Sequence, residues 1–98
     1  MSVIDDDIRQ ELQRSIEQYF EQPERWVEEA KEQMRLLSLE PTLDAVIALF
    51  WGLTYGQIRN KIFERKGRIT NMEIQEIVHY AMQRLPKLKE LIESEGLF

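Results

Sequence analysis

No cysteine occurs in this chain of 98 residues, which excludes a disulfide framework, a thiol nucleophile and any thiolate metal site. There is one histidine, the four serines are scattered, and no Gly-rich phosphate loop is present. No nucleophile and base therefore fall at a catalytic spacing, and the abundant carboxylates sit on outer helix faces where their pKa values should stay ordinary. The expectation is a protein that is not an enzyme and carries no cofactor. Long hydrophobic runs are missing too. The longest uncharged stretch, Ala45 to Ile58, is fourteen residues, too short to cross a bilayer. The start, Met1 to Asp7, is acidic where an export signal would be basic and then apolar, so a cytoplasmic location without a membrane partner is expected.

What is present is 43% apolar and 32% charged residues, the balance of a single soluble globular domain. The net charge of −5 is unevenly spread. Residues 1 to 33 hold ten acids and four bases, whereas residues 57 to 71 hold Arg59, Lys61, Arg65, Lys66 and Arg68 against Glu64 alone. Such an acidic arm and basic centre can attract each other, within one chain or between two, or the basic centre can meet an outside anion.

No stretch alternates as a strand does, and helical periodicity runs throughout. Ile8, Leu12, Ile16, Tyr19 and Phe20 predict an amphipathic helix over about residues 4 to 20. Gln22-Pro23 ends it and opens a second, with Trp26, Ala30, Met34 and Leu37 inward and Val27 at the edge. Pro41 is placed to open a third, to Trp51, apolar on nearly every side and hence expected at the centre. Its large residues (Leu43, Val46, Ile47, Phe50) share one side and its small ones (Ala45, Ala48, Gly52) the other.

Two segments carry one helix-start signal: Leu53-Thr54-Tyr55-Gly56-Gln57-Ile58 and Ile69-Thr70-Asn71-Met72-Glu73-Ile74. In both, Thr can cap and Gln or Glu can return to the Thr amide. The first favours a break after Gly52 and a fourth helix to Lys66; the alternative is one long helix from 41 to 66. Gly67 suits a helix C-terminus. A fifth helix from Asn71 carries Ile74, Ile77, Val78, Ala81 and Leu85, and Pro86 ends or kinks it before a short sixth with Leu88, Leu91 and Ile92. The reading is an all-α domain, a compact bundle of five or six short helices: an acidic N-terminal pair (1–38), a trihelical centre (41–85) and a C-terminal helix (86–98).

Residues 41 to 85, with the joints Gly52-Leu53-Thr54 and Gly67-Arg68-Ile69-Thr70, resemble the three-helix core of helix-turn-helix DNA-binding domains, and Glu95 to Phe98 resembles the tail of winged-helix modules. The resemblance implies a recognition helix from Asn71, with Asn71, Met72, Gln75 and His79 toward bases and Lys61, Arg65 and Arg68 toward phosphates. Glu76 and His79 have the Glu-x-x-His spacing of di-iron bundles, but a helical wheel turns both away from the apolar face, so no metal site is expected. The aromatic and apolar residues strain what 98 residues can cover, which points to pairing of two chains. Trp26, Ala48, Phe50, Trp51 and Gly52 are the candidates for interface or core. The expected function is a non-catalytic interaction protein, homodimeric or binding another protein; the alternative is a helix-turn-helix regulator that binds nucleic acid.

Overall fold

A computed structural model describes residues 3–98 and contains four α-helices: α1 (Asp6–Glu21), α2 (Pro23–Leu36), α3 (Leu43–Lys66) and α4 (Asn71–Ser94). The expectation of five or six helices is thus corrected to four. Residues 41 to 85 hold two helices rather than three, because the joint expected at Gly52 to Thr54 is continuous helix. The break expected at Pro86 is absent as well.

The reason lies in packing. Val46, Phe50, Thr54, Ile58 and Ile62 form one buried stripe down α3, and breaking the helix at Thr54 would divide it. A cap contributes about 1 kcal/mol, whereas burying a single isoleucine contributes roughly 2 kcal/mol. Thr54 is 1% exposed, and its hydroxyl lies near the Tyr19 phenol without completing a well-formed hydrogen bond to any group. Gln57 does not return to Thr54; its amide donates to Glu11 of α1 at 2.9 Å. At Thr70 the same signal is realised in full. The Thr70 hydroxyl accepts from the Glu73 amide, and Glu73 accepts from the Thr70 amide at 3.0 Å. Gly67, in the left-handed region at φ 71°, ends α3 as its sequence position suggests. Pro86 costs α4 one internal hydrogen bond, offset by Leu88 and Ile92, which are wholly buried beyond it.

One half of the core joins Ile8, Leu12 and Ile16 of α1 to Ile58 and Ile62 of α3 and Ile77 and Ala81 of α4. The other joins Val27, Ala30 and Met34 of α2 to Val46 and Phe50 of α3 and Leu88 and Ile92 of α4. Late α3 therefore meets early α4, and early α3 meets late α4: the two form an antiparallel hairpin. Helices α1 and α2, broken at Gln22 (φ −138°, ψ 64°), run back along that hairpin as a jointed rod. Phe20 and Leu85 pack against both halves and join them. Within α2 the inward stripe is rotated from the one expected. Val27 is fully buried, Trp26 is half-buried, and Leu37 lies beyond the helix end at 69% exposure. The chain leaves α2 through Ser38, at φ 58°, so Leu37 cannot continue the stripe.

The resulting body is a slab of 39 × 27 × 18 Å, about two helix layers thick. Its radius of gyration, 14.3 Å, exceeds the roughly 12.6 Å of a compact domain of this length. The third helix is consequently not surrounded: Ala48, Gly52 and Leu53 are exposed on its outer side.

Thr54 and Thr70 should respond oppositely to the same substitution. Thr70→Val should cost about 1 kcal/mol through loss of a cap, whereas Thr54→Val should leave stability unchanged or higher because it removes a buried hydroxyl lacking a full partner. Urea unfolding of both variants checks this; equal losses would place a helix start at Thr54.

Candidate interaction surface

The charge-segregated segments pair within the chain. Arg65, in the last turn of α3, donates to Asp5 at 3.1 Å and to both carboxylate oxygens of Asp7 at the start of α1. That bidentate bond holds the Asp7 carboxyl well below the usual carboxylate range, at about 2, and raises the Arg65 pKa further. Lys61 pairs with Glu11. The exposed Arg65 pairs contribute little energy each, but they join negative charges at the N-terminus of α1 to a cation at the C-terminus of α3, where both helix dipoles favour them. Lys66 reaches Glu73 at 3.0 Å; Glu73 is 2% exposed. Burial pushes the Glu73 carboxyl up, but the Thr70 amide and hydroxyl and the Lys66 ammonium outweigh it, and its pKa is lowered.

A second cross-helix cluster was not foreseen from sequence. Arg84 of α4 donates to both oxygens of Glu17 at 2.7 and 2.8 Å while lying 4.3 Å over the Phe20 ring, and the Tyr80 hydroxyl approaches the same carboxylate at 3.4 Å. Burial, then the Glu17 charge, raises the Tyr80 pKa. The cluster sits where the two halves of the core meet. Its only sequence signal is an acid on α1 and a base on α4, which cannot be matched without the fold.

Of the residues expected to face nucleic acid, Arg68, Asn71, Gln75 and His79 are exposed at the end of the hairpin and along α4. Lys61 and Arg65 are committed to α1 acids. His79 lies 3.2 Å from Gln83, and Glu76, three residues before it, accepts from the Val3 amide at 2.7 Å. Among the described residues, no three His, Cys, Asp or Glu side chains gather where they could hold a metal ion, and no helix is long and apolar enough to cross a membrane.

The residues expected at an interface separate into four places. Phe50 is core, stacked on Tyr19 with ring centroids 4.2 Å apart. Trp26 borders a groove of ≈420 Å3 between α2 and α3, with Tyr19, Ala30, Leu49, Phe50 and Leu53. Trp51 borders a second groove, of ≈260 Å3, on the α3–α4 hairpin, with Val78, Ala81, Met82, Leu85 and Pro86 and no charged residue. Ala48 and Gly52 are exposed on α3, and the space beside Gly52 and Gly56 is open. Leu49 and Leu53 were missed as contact residues: each follows a helical pattern compatible with burial, and the slab shape leaves Leu53 exposed and Leu49 only partly covered. Leu53 is 60% and Met82 69% exposed.

No family model, curated protein or solved structure matches this chain.

The Arg65–Asp7 bond gives a sign for pH dependence. A carboxyl whose pKa is lowered by folding stabilises the fold above its unfolded value near 4 and loses that contribution as pH falls through its folded value, about 2. Carboxyl chemical shifts should therefore report an Asp7 midpoint near 2 in the wild type, rising toward the unfolded value in Arg65→Gln. An unshifted midpoint in the variant would remove Arg65 as the cause.

Proposed function

We propose that this chain is a small non-catalytic interaction protein that pairs with a second copy through the outer face of the α3–α4 hairpin. The observation that carries the reading is the uncharged groove of Trp51, Val78, Met82, Leu85 and Pro86 on a body two layers thick. Helices α1 and α2 fill one side of the hairpin; a second protomer is the simplest cover for the other, since identical faces without charge repay burial and incur no like-charge contact. Exposed Ala48 and Gly52, beside Trp51 on α3, permit close helix approach.

The alternative reading, a nucleic-acid-binding regulator, draws on Arg68, Asn71, Gln75 and His79, which are exposed. Binding driven by phosphate needs several converging cations, and two of those expected, Lys61 and Arg65, are already paired with α1 carboxylates. That pairing favours the first reading. Labelled duplex DNA at about 50 and 200 mM salt separates the two, because phosphate-driven binding weakens by orders of magnitude over that range.

Light scattering on a size-exclusion column should give twice the chain mass at about 100 μM protein, and Met82→Arg should give a monomer of unchanged helicity. In the monomeric Met82→Arg background, Gly52→Ala should stabilise the fold by up to about 1 kcal/mol through helix propensity, since within one protomer an added Cβ meets nothing within 4 Å. A wild type that stays monomeric at about 1 mM would overturn the pairing.

A further inference from the structure

We infer that the α2–α3 groove is a docking site for an amphipathic helix of a separate protein, apolar on one side and flanked by Lys or Arg. The inference rests on the reading of the chain as an interaction protein but uses a surface on the opposite flank of α3 from Trp51. The floor of the groove is apolar and aromatic: Trp26, Ala30, Leu49, Phe50 and Leu53. Tyr19 and Trp26 meet edge to face in its wall, with centroids 5.5 Å apart, a favoured aromatic geometry. A volume of ≈420 Å3 has room for one or two bulky side chains at successive helical turns.

Charge identifies the occupant. The charged residues lining the groove are Glu29 and Glu32, both negative and both exposed. Glu29 has no ion pair among the described residues, and Glu32 makes a long contact with Arg35 at 3.8 Å. The facing segment of α3, Ala45 to Ile58, supplies no cation. Two acids beside a hydrophobic trough attract a helix with cations at its margins. They also disfavour a second copy in the same place, because a two-fold pairing of this surface would set Glu29 and Glu32 of both chains around one apolar seam. The groove and the uncharged hairpin face therefore select different partners.

The test uses three synthetic peptides of about 15 residues that share one leucine stripe and differ only in their outer residues: Lys, Gln or Glu. Calorimetric titration into the full chain should show the Lys peptide binding at least about tenfold more tightly than the Glu peptide, with Gln between. The double variant Glu29→Lys, Glu32→Lys should reverse the order, and Leu53→Asn, checked for unchanged helicity, should weaken the Lys peptide at least about fivefold. Equal affinity for all three, a preference unmoved by the charge reversal, or no binding of the Lys peptide at about 1 mM would each overturn the inference. Met82→Arg run in parallel separates it from self-association. A monomeric Met82→Arg that still binds the Lys peptide shows the groove to be independent of pairing, and one that loses the peptide with its helicity intact would overturn the inference; a wild type that never pairs but binds the peptide removes only the dimer from the account.

Discussion

The structure depends on α3 remaining a single rod. Its buried stripe, Val46 through Ile62, runs through both halves of the core, where α4 and, through Tyr19, the end of α1 meet it. A rod of 24 residues is about 36 Å long, close to the 39 Å length of the molecule. With that length fixed, the remaining chain suffices for one covering layer. Helices α1 and α2 supply it by bending at Gln22-Pro23 to follow the hairpin from one end to the other.

From that constraint the surface follows. A two-layer slab leaves an outer face on the hairpin and a flank between α2 and α3, and the residues there are the apolar ones of a helix whose sequence is uncharged from Ala45 to Ile58. The charged residues were placed elsewhere: the acids of α1 against Lys61 and Arg65, and Glu17 against Arg84. Internal pairing thus consumes much of the charge that the sequence displays as an acidic arm and a basic centre. Two grooves are left uncovered, the one beside Trp26 edged by Glu29 and Glu32 and the one beside Trp51 lined by no charged residue.

Much of the architecture was legible where local chemistry and packing agree. Pro23, Gly67 and the Thr70 to Glu73 capping box lie where the chain must turn in any case, so their signals coincide with helix ends. Ile8, Leu12 and Ile16 have one periodicity and one partner face, and they are buried as the spacing implies. At Thr54 and Pro86 the local signal opposes the packing and loses, because each sits between residues buried in both directions along the helix. The rotation of α2 from Trp26 to Val27, and the exposure of Leu37, Leu53 and Met82, depend on how helices lie against one another. Periodicity reports that a residue is apolar, not whether another helix is available to cover it.

Amide hydrogen exchange across Gly52 to Gln57 tests the central claim most directly. If α3 is one rod pinned on both sides of Thr54, these amides exchange only with global unfolding, as slowly as those of Phe50 and Ile58. Exchange several orders of magnitude faster at residues 53 to 56 than on either side would show a joint there, and the single-rod account would be contradicted.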